Sequence, residues 1–302
     1  MPELPFLIAL AENLDARIRG RTIIDARVLS PSVMKTVDPP IAEIRGTRIS
    51  GVRRRGKVVI IDLASPDPAP SLVLLAHLMR NGRLQLVPGT TDPGRSPGRL
   101  PSSRRHERDL ALVITLEGGT ELRMIERGSK KAASVWLRRA GQEMQGPLAG
   151  LGVEPISPQV TDGALARMLA AERMRLKSFL LSQRYLAGIG NAYADEILWE
   201  ARLSPQALTA GLRPEEITRL RLAVVTVLER AIAAHRAELA GALPMKEPLS
   251  SLRVHRHGKE PCPRCGEPIA VIYYEDRETY YCPVCQAGGK IYADRRRSRL
   301  LR

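Results

Sequence analysis

Apolar residues recur at Leu7, Leu10, Leu14 and Ile18, with Ala11 beside them, a spacing that predicts a helix over residues 4–19. Downstream the period changes. Short apolar runs at 22–29, 57–63, 71–77, 110–116, 120–125 and 134–137 predict strands, and Gly118-Gly119 predicts a hairpin turn between two of them. Short, mostly sequential strands point to a β-sandwich. The stretch 88–108, rich in Pro, Gly, Ser and Arg, predicts a mobile loop. A proline–glycine break at 141–158 predicts a domain boundary, and helices are predicted afterwards over 161–172, in a central pair, and over 214–238. In the last, Pro214 opens the helix while Ile217, Leu220, Val224, Val227, Leu228 and Ala231 face inward.

The central pair lies within 175–205. Leu176, Phe179 and Leu180 share a face of its first helix, and the turn reads Leu186-Ala187-Gly188-Ile189-Gly190. Asn191 is the expected N-cap of the second helix, with Asp195 and Glu196 placed near its positive end. Two glycines allow a sharp turn and a close backbone approach. The free amides that follow form an anion site, with a phosphate as the expected occupant. An ordinary helical hairpin with a glycine turn is the alternative.

Charge sharpens that reading. The chain carries 47 basic and 32 acidic residues, a net +15, which suits a polyanion, nucleic acid before anionic membrane. No run approaches eighteen apolar residues, so no membrane span is expected. The opening MPELPFLIALAENL has no basic start and reads as no signal peptide, which predicts a cytoplasmic protein, nucleoid-associated in a bacterium. Proline at position 2 is small enough for removal of Met1, which leaves a secondary amine beside Glu3; an incidental N-terminus is the plainer reading.

The cysteines all fall near the end. Cys262-Pro-Arg-Cys265 and Cys282-Pro-Val-Cys285 form two Cys-x-x-Cys knuckles separated by sixteen residues, which can close a tetrahedral thiolate site. Zinc is the expected metal, structural because four thiolates leave no open position, with an iron–sulfur cluster as competitor. The intervening segment predicts a hairpin turning near Glu275-Asp276, with Arg277 near its tip.

Pro2-Glu3, Gly188-Ile189-Gly190-Asn191 and the four-cysteine hairpin, in this order, resemble the formamidopyrimidine-DNA glycosylase and endonuclease VIII family over nearly the whole chain. The resemblance implies an α+β fold. Residues 1–145 would form a catalytic β-sandwich domain with a leading helix, 155–250 a helix–two-turn–helix DNA-binding domain, and 251–302 a zinc-finger hairpin with a basic tail. It implies a monomeric DNA repair glycosylase and AP lyase acting on damaged double-stranded DNA, with one structural zinc held by Cys262, Cys265, Cys282 and Cys285 and no membrane partner. Pro2 would be the nucleophile and Glu3 the general acid and proton shuttle. Lys57 would contact DNA near the lesion. Asn191 and Arg277 would grip the flanking phosphates, and His77 would add a backbone contact. A damaged-DNA-binding protein with little base excision is the alternative.

Elementary chemistry agrees with an amine nucleophile. An α-amine has a pKa near ~7.7–8 against ~10.4 for lysine, so roughly a tenth of it is neutral at pH 7. The neutral form is the one that attacks. The chain departs from the family pattern at Phe6, where Glu is common, at Met79-Arg80-Asn81-Gly82, and across Glu126-Arg127-Gly128-Ser129-Lys130-Lys131-Ala132. In the family these elements fill the void left by a flipped base; Lys130, Lys131 or Arg80 are candidates to do so here, with solvated surface charges as the alternative. The tail 286–302 adds six basic residues that either track DNA backbone or stand solvated.

Overall fold

In the computed structural model of the chain, the leucine-patterned opening is helix α1, Leu4–Ile18, with Pro5 in its first turn, where a missing N–H costs no intrahelical bond. Leu7, Leu10, Leu14 and Ile18 are at most 2% exposed, and burying each contributes about 1.5–3 kcal/mol. The structure describes residues 1–66, 69–87, 109–240, 243, 247–274 and 277–292. The predicted loop at 88–108, the predicted turn at Glu275-Asp276 and the tail beyond 292 lie outside the described residues.

Strands β1 (Ile23–Val28), β2 (Arg48–Arg55), β3 (Val58–Ala64), β4 (Leu72–His77), β5 (Gly82–Val87), β6 (Leu110–Leu116), β7 (Glu121–Glu126) and β8 (Ser134–Arg139) build two antiparallel four-stranded sheets. Their orders are β1-β6-β7-β5 and β2-β3-β4-β8. One hydrophobic cluster takes Ile114, Leu116, Leu122 and Met124 from the first sheet and Val59, Ile61, Leu74 and Leu137 from the second. The alternation of these positions along each strand is what a packed face requires. Helix α1 contributes Leu7, Leu10 and Leu14 to the same cluster.

The sequence pattern anticipates six of these strands and misses β2 and β5. In β2, RISGVRRR, a register irregularity between Ile49 and Gly51 breaks the two-residue period, and arginines occupy half of the strand. In β5, GRLQLV, the alternation of polar and apolar residues runs only from Arg83 to Leu86, too short to signal a strand. Gly118 and Gly119 turn between β6 and β7, both at φ +78°, a left-handed conformation open to glycine.

By its contacts the chain divides into two units: Met1–Pro2, Phe6–Ala149 and Arg236–Glu247 in one, Glu3–Pro5, Gly150–His235 and Pro248–Arg302 in the other. The second unit is mainly helical. It contains α2 (Asp162–Ala171), α3 (Leu176–Leu181), α4 (Asn191–Glu200), most of α5 (Pro214–Glu238), the hairpin β9 (Ala270–Tyr274) and β10 (Arg277–Tyr281), and α6 (Pro283–Ala287). Thr161 caps α2 by accepting from the Ala164 amide at 3.1 Å. On α5 the expected inward residues Leu220, Val224, Val227, Leu228 and Ala231 are buried, with Ile217 half-buried.

Candidate active site

The glycine turn and the second residue pair of the chain meet in the second unit. Gly188 sits at φ +108°, and a Cβ there would lie 2.8 Å from Leu4 Cδ1. The Leu4 amide donates to Gly188 O at 3.1 Å. Gly190, not Asn191, is the N-cap of α4, so the expected Asn191 cap is corrected: Asn191 is the first helical residue. A residue with no side chain is required at 190 because a Cβ would fall 2.4 Å from Glu3 Cδ. The expected phosphate is corrected too. The exposed amides of this helix start are taken by the chain's own carboxylate. Gly190 N and Tyr193 N donate to Glu3 Oε2 at 2.9 and 3.2 Å, and Ala192 N donates to Oε1 at 2.9 Å. Such charge-assisted bonds each contribute about 1.5–3 kcal/mol, and the helix dipole adds to them. Glu3 is 5% exposed and oriented at both oxygens.

Asp195 and Glu196, expected near the positive end of this helix, do more than complement its dipole. Both are buried and tie α4 to other segments of the unit. Lys177 on α3, among the apolar Leu176, Phe179 and Leu180, lies 2.7 Å from Asp195 Oδ1 and donates to Glu278 O and Thr279 Oγ1, both at 2.8 Å. Burial pushes its ammonium below the usual lysine range, and Asp195 offsets part of that. Asp195 Oδ2 meets His255 Nδ1 at 2.7 Å and accepts from Tyr280 N at 3.2 Å. Glu196 Oε1 accepts from the amides of Arg253, Val254 and His255, yet burial holds its carboxyl above the usual range. Sequence reasoning missed this network. Its one signal was a lysine on the apolar face of a helix.

That network sets the hairpin against α4. Asn191 Nδ2 donates to Glu278 O at 2.9 Å, and among the described residues Asn191 Oδ1 has no hydrogen-bond partner. Arg277 opens β10 and is exposed, one residue from Glu278. The second unit therefore brings Glu3, Asn191 and Arg277 onto elements that contact one another.

Lys57 and His77 belong to the first unit. Lys57 follows Gly56 in the β2–β3 turn and is 7% exposed. His77 ends β4 opposite Val58. Its Nδ1 accepts from Met79 N at 3.1 Å, so the neutral ring carries its proton on Nε2. Burial, reinforced by the Lys57 charge, pushes the imidazole down to about 4. Pro2 is buried and Met1 is 46% exposed. Phe6 is 1% exposed in the hydrophobic cluster, so its side chain fills core volume. Arg80 is exposed, while Lys131 lies 3.4 Å from Asp109 Oδ1 and donates to Glu126 O.

The four cysteine sulfurs lie within 4.8 Å of one another. The pairs Cys265–Cys282 and Cys265–Cys285 are both 3.4 Å apart, and Cys262–Cys285 is 4.0 Å. Zinc–sulfur bonds of ~2.3 Å at tetrahedral angles put sulfurs roughly 3.8 Å apart, so the set fits one ion. Trp199 Nε1 and Arg264 N approach Cys262 Sγ at 3.4 and 3.5 Å, and Cys285 N approaches Cys282 Sγ at 3.4 Å, donors suited to thiolates.

Three family models match the chain: the formamidopyrimidine-DNA glycosylase N-terminal domain over residues 1–127, the formamidopyrimidine-DNA glycosylase H2TH domain over 151–240, and the zinc finger found in FPG and IleRS over 259–288. The formamidopyrimidine-DNA glycosylase of Symbiobacterium thermophilum is 33% identical over 292 residues, 95% of this chain and 89% of that protein. The chain belongs to the formamidopyrimidine-DNA glycosylase family. The Chloroflexus aurantiacus member is 34% identical, covering 95% of this chain and 98% of its own. Wild-type Lactococcus lactis Fpg bound to DNA containing N7-benzyl-Fapy-dG superposes with a TM-score of 0.80 at 27% identity, over 95% of this chain and all of that one. The same enzyme with abasic-site DNA gives 0.77 at 27% identity, over 94% and 99%. As a member of the formamidopyrimidine-DNA glycosylase family the chain is a DNA glycosylase with AP lyase activity in DNA repair, built as a β-sandwich with a leading helix, a helix–two-turn–helix domain and a zinc finger. The zinc-finger match decides between zinc and an iron–sulfur cluster: the four cysteines hold one structural zinc. No helix among the described residues is long and apolar enough to cross a membrane.

Three outcomes follow from this geometry. Gly190→Ala should displace the Glu3 carboxyl and slow base excision by about 10²-fold, the usual consequence of a misplacement near 1 Å. Its thermal unfolding should also come at a lower temperature, because the three amide bonds to Glu3 are disturbed; single-turnover kinetics with melting curves check both. Elemental analysis should find one zinc per chain, and Cys265→Ser should lower metal content, weaken DNA binding and raise amide exchange across 262–285 without altering exchange in β3 and β4. For His77, the unfolded chain binds more protons than the folded one between pH 6.5 and about 4. Stability should therefore fall as pH drops through that window, and His77→Asn should reduce the slope in denaturant titrations.

Proposed function

We propose that this chain excises an oxidised base from duplex DNA through a Schiff base on Pro2 and then cleaves the strand by elimination. The observation that carries the reading is the fixed carboxyl of Glu3 at the start of α4, on the residue that directly follows Pro2 in the chain. Removal of Met1 converts that nitrogen from an amide to a secondary amine. The amine attacks C1′ of the damaged nucleotide, the base leaves, and opening of the sugar ring gives an iminium ion. The iminium acidifies the C2′ hydrogens, and loss of one expels the 3′ phosphate. Glu3 supplies and returns protons at the sugar. Extruding the base costs a few kcal/mol, which damage partly relieves.

The remaining roles follow the charges. Lys57 approaches the lesion phosphate, and His77 donates from Nε2 to the backbone. Asn191 and Arg277 hold the phosphates flanking the extruded nucleotide. DNA-damage complexes of Lactococcus lactis Fpg support damaged double-stranded DNA as the partner here. In this reading residues 1–145 carry catalysis, 155–250 grip DNA and 251–302 present the zinc-held hairpin and basic tail. The protein works as a monomer in the cytoplasm, on the nucleoid in a bacterium.

Borohydride trapping on abasic-site duplex tests the assignment. The purified protein should lack the mass of Met1, and peptide mapping should find the DNA on Pro2. Retaining Met1 or adding a tag before Pro2 should abolish trapping with binding preserved. Binding without trapping by the processed protein would instead identify a damaged-DNA-binding protein, and an adduct on Lys57 would overturn the choice of nucleophile.

A further inference from the structure

Gln183 lies eight residues before Asn191, in the connection between α3 and α4, and its side chain bonds both ends of the glycine turn and the end of α3. Its Oε1 accepts from Gly188 N at 2.8 Å. Its Nε2 donates to Ile189 O at 2.9 Å and to Leu181 O at 3.0 Å. The Ile189 carbonyl and the Gly190 amide belong to one peptide plane, and in a trans peptide they point in opposite directions. Gln183 holds the oxygen end of that plane. Glu3 Oε2 takes the N–H end at 2.9 Å.

Such a lock answers a need created by the turn itself. Gly190 must lack a side chain to admit Glu3, and Gly188 must lack one to reach φ +108° against Leu4. A peptide bordered by glycine rotates with little steric resistance. Rotation of the 189–190 plane would aim a carbonyl oxygen at the Glu3 carboxylate, replacing attraction with repulsion between two acceptors. Leu4 N fixes Gly188 O, but it leaves the next plane free to turn. Gln183 alone among these partners grips the 189–190 carbonyl.

We infer that Gln183 is a positioning residue for Glu3: by clamping Gly188 N–H and Ile189 C=O it keeps the Gly190 amide aimed at the carboxyl. The inference rests on the role proposed for Glu3. A double-mutant cycle on the full-length, zinc-loaded enzyme separates the two. Gln183→Met keeps length and volume and removes all three bonds. Single-turnover base excision should slow by about 10²-fold in Gln183→Met, with affinity for abasic-analogue DNA within about threefold of the parent. In the Glu3→Gln background, where no carboxylate remains to be placed, Gln183→Met should add less than about twofold, because residues acting as one unit are not additive. Gln183→Glu keeps the acceptor for Gly188 N–H but sets a carboxylate against Ile189 O, and should be slowed as well; it serves if the methionine variant does not fold. Equal slowing in both backgrounds, or parental rates in both Gln183 variants, would overturn the inference. Parental rates in Glu3→Gln would overturn the role of Glu3 instead.

Discussion

The carboxyl of Glu3 bound to the first amides of α4 is the interaction on which the rest of the second unit's site depends. A helix start leaves amides that need partners, and a buried carboxyl needs donors. Each requirement satisfies the other here, across 187 residues of sequence. The demand for close approach then dictates Gly190, the reversal before it dictates Gly188, and the main-chain bond from Leu4 to Gly188 O anchors the start of α1 to the same turn. Asn191 follows as the first helical residue and is thereby directed at the hairpin carrying Arg277.

On a chain with a net charge of +15, backbone amides rather than cations hold the two most buried glutamates of this unit. Glu3 takes the amides of α4, and Glu196 takes those of residues 253–255. Lys177 is assigned to Asp195 and to the hairpin strand, so its charge serves the joint between α3, α4 and β10. Zinc completes the logic: with four thiolates closing the site, the hairpin is fixed from its base while Lys177 and Asn191 fix it along Glu278 and Thr279.

Much of this was legible. The α1 leucines, the glycine turn, the helix over 161–172 and the four-cysteine spacing each obey a local rule, and the structure contains the elements those rules predict. What was not legible depended on distant partners. The turn amides were correctly read as an anion site, but local rules supply no way to choose a carboxylate 187 residues away over a phosphate. Asn191 has the chemistry of a cap, but the space needed by Glu3 moves the cap to Gly190. Strand β2 lacked alternation because a register irregularity broke its period, and the alternation in β5 spans only Arg83 to Leu86. Asp195 and Glu196 were read by their position in a helix and owe their burial to residues 253–281.

Amide hydrogen exchange, resolved residue by residue in the parent protein and in Glu3→Ala, tests the central claim most directly. The account predicts slow exchange at Gly190, Ala192 and Tyr193 in the parent. In Glu3→Ala exchange should accelerate by at least about tenfold at those three amides, because a helix start without its acceptor is left to water, while amides deeper in α4 keep their protection. Unchanged exchange at all three amides after removal of the carboxylate would contradict it.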